Sequence, residues 1–212
     1  MVKIGQQQIE REKSAKLLGV ILDQHLLWEE HVNKVTSSCF GALSILKKFK
    51  NIMSLKLKKQ VAELLILSKM DYADAVFRPL SLKLQKRLQK VENAAASFVL
   101  GLYTKEKDVV SLGWLPMKER RDWHLVKLAF KYISDRNKPE YIDISLKENS
   151  RHLRSSSAPL IAASTDSKTL RNNAADIFNK MPNAIRNSKT NAEFSSKSKE
   201  HFLTEAKKRL LV

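Results

Sequence analysis

Seven apolar residues, Trp28, Val32, Val35, Cys39, Ala42, Leu46 and Phe49, follow one another at spacings of four, three, four, three, four and three. That alternation keeps them on one side of an α-helix and out of step with the two-residue repeat of a strand, so it predicts a helix of about six turns. Ser54 is placed as the N-cap of a second helix whose face is Leu57, Val61, Leu64 and Leu65. A third begins near Ser81, after Pro79. There Leu84, Leu88, Val91, Ala95 and Phe98 repeat the spacing until Gly101 stops it. Three one-sided helices need each other to bury their stripes, so the chain is constrained to a helical bundle.

The ends of the chain read differently. Val2, Ile4 and Ile9 flank a turn region at 5–8, and residues 17–22 form a short apolar run ended by Asp23, which together predict a small β-hairpin or sheet. The first helical module ends near residue 104. Residues 109–116 then lead into a long helix starting near Met117, where Pro116 suits the first turn and Trp123, Val126, Ala129, Phe130 and Ile133 make the apolar face. Trp114 and Trp123 read as core anchors, with base stacking as the alternative. The Ser-rich stretch 145–170 has no sustained period and reads as a long loop or arm. Two helices follow, over 170–181, broken by Pro182, and over 192–209. The predicted class is mainly α, divided at 1–24, 25–104, 105–144, 145–170 and 171–212.

Composition narrows function by exclusion. With 212 residues and 43% hydrophobic content the chain can bury a core, and it has no run of about 20 apolar residues to span a membrane and no signal-peptide pattern at its start. An intracellular location is expected, with nucleus and cytoplasm both open. The single cysteine, Cys39, builds neither a disulfide nor a zinc site alone and reads as a small core residue. His25, His31, His124, His152 and His201 lack the paired spacings of metal hydrolases, and His31 reads as a capping or packing residue.

Charge points the other way. Lys and Arg total 39 against 22 acids, a formal net charge of +17, and a surface so charged takes polyanions as partners through release of condensed counterions. The basic residues gather in two places. Lys83, Lys86, Arg87 and Lys90 share a face of the third helix opposite its apolar stripe, and Lys47, Lys48, Lys50, Lys56, Lys58 and Lys59 surround the turn between the first two. The long helix adds Lys118, Arg120, Arg121, Lys127 and Lys131, and the Ser-rich stretch adds Arg151 and Arg154.

Five short motifs occur in order: KLLGVILDQHLLWEEHV at 16–32, MDYAD at 70–74, QKVENAAA at 89–96, SLGWLPMKERRD at 111–122 and FNKMPNAIR at 178–186. The set resembles the C-terminal part of the polymerase of jockey-like non-LTR retrotransposons (long interspersed elements). There an LGV-D--L-W--H segment follows the catalytic palm and is succeeded by LDY-N, Q--QN-AAR, LHWLP---R and WN-LP--IR. Phe178 stands where the relatives usually carry Trp, and RHLRSS at 151–156 is similar to a further family segment.

The resemblance implies a small hairpin from the palm/thumb junction, a thumb-like helical bundle and a second helical region joined by the Ser-rich loop. It makes Lys47, Lys48, Lys50, Lys58, Lys59, Lys83, Lys86, Arg87, Lys90, Arg120, Arg121, Arg151 and Arg154 candidate contacts to the backbone of an RNA template, an RNA/DNA hybrid or DNA. The family's catalytic [FY]-x-Asp-Asp motif is absent, since no two Asp residues are adjacent. The chain alone is therefore expected not to polymerise DNA and to carry no catalytic residue and no cofactor, magnesium belonging to the missing palm, which is itself an expected partner. Asp71 and Asp74 have the wrong spacing for that motif and read as a polar corner between helices. Two other readings stay open: a stand-alone nucleic-acid-binding protein derived from such an element, and a helical protein-interaction module whose charge is incidental.

Overall fold

A computed structural model describes residues 2–4, 7–9, 12–135, 144, 146, 159–162 and 170–211. Two antiparallel hairpins open the chain. Strands β1 (Val2–Ile4) and β2 (Gln7–Ile9) pair with Val2 opposite Ile9, so Gln7 and Gln8 belong to a strand and not to the expected turn. Strands β3 (Ser14–Leu17) and β4 (Val20–Asp23) pair with Leu17 opposite Val20. The apolar run at 17–22 is thus folded back on itself at Leu18 and Gly19, whose φ values of 47° and 86° suit a two-residue hairpin turn.

Beyond the hairpins the described chain is mainly helical. Helix α1 (Glu29–Lys48) begins after Trp28, which adopts a left-handed φ of 67°. Asp23 holds that entry: its carboxylate accepts the N–H groups of His25 (3.0 Å), Leu27 (3.0 Å) and Trp28 (2.8 Å). Burial works against ionisation of Asp23, but these bonds outweigh it and hold the carboxyl below its ordinary range. Trp28, Val32, Thr36, Cys39, Leu43 and Leu46 form the buried line, while Val35 and Ala42 lie at its margin and Phe49 is exposed. Cys39 is a core residue whose thiol burial pushes up to about 11.

Helix α2 (Leu55–Ala62) starts where expected, with the Ser54 hydroxyl accepting the Leu57 N–H at 3.3 Å. Its expected face is not the one buried. Leu57, Leu64 and Leu65 are exposed, and the core receives Ala62, Ile66, Leu67 and Met70 instead. The reason is a turn of π-helix, Glu63–Leu67, which runs into the short helix α3 (Ser68–Asp71); the wider turn rotates the side chains away from the register that a continuous α-helix would give.

Helix α4 (Leu82–Leu100) follows its sequence signals closely. Ser81 caps it by accepting the Leu84 N–H, Gly101 at φ 75° ends it, and Leu84, Leu88, Val91, Ala95 and Phe98 are all buried. It lies parallel to α1, since Lys83 pairs with Glu29 and Arg87 bonds Asn33, partners separated by the same 54 positions. Helices α5 (Glu106–Ser111) and α6 (Met117–Ser134) follow, then α7 (Leu170–Phe178), α8 (Asn183–Arg186) and α9 (Asn191–Leu211).

Two cores result. One joins β4, α1, the α2–α3 segment, α4 and α5; the other joins α6 to α7, α8 and α9 around Leu125, Phe130, Phe178 and Phe194, with the Phe130 and Phe194 rings stacked at 4.1 Å. Trp114 is buried in the first, its indole N–H donating to Glu63 at 2.6 Å. Trp123 bonds Ser195 and Ser198 on α9 and is covered by the Lys127 ammonium at 4.1 Å, an anchoring role for both tryptophans. No described helix is long and apolar enough to cross a membrane.

Candidate nucleic-acid interface

The bundle brings together basic residues that are distant in sequence. Lys47 lies in the last turn of α1, Lys50 in the turn that follows, Lys58 on α2 and Lys90 on α4, and all four line one open groove of about 750 Å³. Parallel packing of α1 on α4 is the cause, because it places the C-terminal half of α4 beside the α1–α2 turn. The floor is polar. The Ser97 hydroxyl lies 2.9 Å from that of Thr104 and accepts the Thr104 N–H at 3.2 Å, while Thr104 donates to the Asn93 carbonyl at 2.6 Å. Leu102 and Tyr103 are exposed at the rim.

The other candidates are placed elsewhere. Lys48 and Lys86 are exposed and Lys59 is half-buried, none of them lining the groove. Lys83 is tied to Glu29 in a surface pair of 2.8 Å and Arg87 is tied to Asn33, so the expected four-residue stripe of α4 is divided between helix-to-helix contacts, solvent at Lys86 and the groove at Lys90. Arg151 and Arg154 lie outside the described residues.

Arg120 and Arg121 are corrected by the structure. Arg120 grips both oxygens of Asp71, with Nε donating at 2.6 Å and Nη2 at 2.5 Å, and the two side chains are only 16% and 24% exposed. Burial opposes the Arg120 charge, but Asp71 more than restores it. Arg121 is buried, donates to the Asp74 and Phe77 carbonyls at 3.0 and 2.6 Å, and lies 4.7 Å over the Phe77 ring; burial pulls its pKa down to about 10, which leaves it charged at neutral pH. A guanidinium already desolvated against protein acceptors does not reach a phosphate, and helical spacing alone does not reveal that commitment.

Asp71 and Asp74 do form a polar corner, joined by His124. Its Nδ1 lies 2.6 Å from Asp74 Oδ2, and the three ligand-type atoms fall within 4.8 Å of one another. In this structure Arg120 engages both Asp71 oxygens and His124 the facing oxygen of Asp74. Together with the Arg78–Asp122 pair at 2.8 Å, they join the end of α3 and the segment after it to α6 and hence one core to the other.

Hydrogen bonds join four of the five motifs in space. Tyr72 donates to the Leu18 carbonyl at 2.7 Å, Asp71 pairs with Arg120, and Gln89 accepts the Met117 N–H at 2.9 Å. His31 is buried, accepts the Ile21 N–H at 3.3 Å and packs edge-on against Phe77; burial and then Lys34 lower its pKa, so it is a neutral packing histidine. Arg186 is buried and donates to the Met181 and Pro159 carbonyls at 3.0 and 2.7 Å. The motif residues thus hold the scaffold, and the groove is built largely from residues outside the motifs. Asn93 and Lys90 are among the motif members that line it. Comparison with protein-family models, with curated proteins and with solved structures found no match to this chain.

Proposed function

We propose that this chain is a thumb-like module that grips nucleic acid by its backbone, serving a reverse transcriptase whose catalytic carboxylates come from outside this sequence. The observation that carries the reading is the convergence of Lys47, Lys50, Lys58 and Lys90, from three helices and the turn between two of them, on one groove. A net charge of +17 supports it, and so does the ordered set of motifs. Lysines neutralise phosphates and read no base edges, so binding is expected to be indifferent to sequence. The purified chain is expected to extend no primer.

The test is binding to an RNA/DNA hybrid, to double-stranded DNA and to single-stranded RNA across a salt series. Dissociation constants of about 10⁻⁴ to 10⁻⁶ M are expected at physiological salt, weakening steeply as salt rises. Replacing all four groove lysines by alanine should flatten the slope of log K against log salt on double-stranded DNA by about 3 to 4, close to 0.9 for each phosphate no longer neutralised. Absence of binding at low salt, or a slope that the four substitutions leave unchanged, refutes the reading.

A further inference from the structure

The groove rim holds an aromatic ring that stands in solvent. Tyr103 is 84% exposed and Leu102 beside it is 56% exposed, although both follow directly on a helix whose other apolar residues are largely buried. The other exposed Phe and Tyr rings among the described residues, Phe40, Phe49 and Tyr72, are less so, at 44%, 47% and 57%. The two tryptophans nearest in sequence illustrate the contrast, since Trp114 is buried and Trp123 is covered by Lys127 and bonded to α9.

The backbone on both sides of Tyr103 is fixed. Gly101 turns the chain at φ 75°, a conformation glycine adopts without strain, and its N–H caps α4 by donating to the Ser97 carbonyl at 2.9 Å. On the other side Thr104 is buried and held by its three contacts to Ser97 and Asn93. The ring is therefore presented from a short pinned segment, at the edge of a groove that also carries Lys47, Lys50, Lys58 and Lys90. Cations lining a groove beside an exposed ring on a pinned backbone are the two components of a site for unpaired nucleotides: phosphates to the lysines, a base face to the ring.

We propose that Tyr103 is a stacking platform for an unpaired base, so that the groove takes single-stranded nucleic acid, or a strand end splayed from a duplex, in preference to a continuous duplex. A base inside a helix already stacks on its neighbours and gains nothing from the ring; an unpaired base gains a partner. The proposal rests on the groove being the nucleic-acid contact described above. It adds which form of nucleic acid the groove prefers.

The experiment compares the full chain with Tyr103→Ala and Tyr103→Phe, titrated with a single-stranded oligonucleotide and with a blunt duplex of the same sequence, each over a salt series. Tyr103→Ala should weaken single-strand binding about tenfold, the loss expected for one base–aromatic stack, and leave duplex binding within about twofold. Its salt slope should match the parent's, because no phosphate contact is removed. Tyr103→Phe keeps the π-face and should bind like the parent. Equal affinity of parent and Tyr103→Ala for the single strand overturns the stacking role alone; failure of the parent to bind either probe overturns the groove reading with it. Loss of duplex and single-strand affinity in equal measure also overturns the proposal, since it would make the ring a general contact.

Discussion

Replacing Glu92 by glutamine should make the protein's stability less dependent on pH. Glu92 lies on α4 with no exposed surface; one carboxyl oxygen accepts the Gln89 side-chain N–H at 2.9 Å and the other has no hydrogen-bond partner among the described residues. Burial pushes its pKa from 4.5 to about 8, against the opposing pull of Arg120 and the Gln89 bond and with a smaller upward push from Asp71. Between those two values the folded protein keeps a proton that the unfolded chain releases. The stability this group contributes is therefore fully present below about pH 4.5 and is lost as pH rises to about 8. At about 1.4 kcal/mol for each pH unit between the two values the ceiling is about 5 kcal/mol, and relaxation around a buried carboxylate brings the expected loss to about 2–4 kcal/mol.

Glutamine cannot ionise and keeps an acceptor for Gln89. Urea unfolding of parent and Glu92→Gln at about pH 5 and about pH 8.5 isolates the group, because every other titration is common to both proteins. The variant should gain about 2–4 kcal/mol relative to the parent between the two conditions, whatever the substitution costs in packing. Parallel profiles would refute the reasoning. They would mean that Glu92 is already ionised in the fold and that Arg120 compensates its burial.

Three further outcomes are expected. Asp71→Asn leaves Arg120 without its two-pronged partner in a setting that is mostly desolvated, and should cost about 2–4 kcal/mol by urea unfolding while groove affinity for nucleic acid stays unchanged. Leu18→Asn should stabilise by about 0.5–1 kcal/mol, because Leu18 is 83% exposed and held at φ 47°, where asparagine is less strained; an unchanged urea midpoint would count against that. Ser81→Ala removes the N-cap of α4 and should cost about 1 kcal/mol, read as a lower thermal midpoint.

The sequence by itself determined the elements whose signals are local. Ser54 and Ser81 cap where they were expected to, Gly101 stops α4, Pro182 separates α7 from α8, and the stripe of α4 is buried position for position. Capping and helical periodicity act over a few residues, so a single chain carries them openly. What only the tertiary structure decided is which residues face what. The π-turn at Glu63–Leu67 moved the buried face of the α2 segment, and the Asp71 carboxylate and the Asp74 and Phe77 carbonyls drew Arg120 and Arg121 inward. The parallel docking of α1 on α4 gathered Lys47, Lys50, Lys58 and Lys90 while it tied up Lys83 and Arg87. Tyr103 was readable as an aromatic residue after a helix stop, but not as an exposed one. The reason is physical: a charge or a ring takes its role from the partner that desolvates it, and that partner is set by packing across dozens of residues, where periodicity along the chain carries no information.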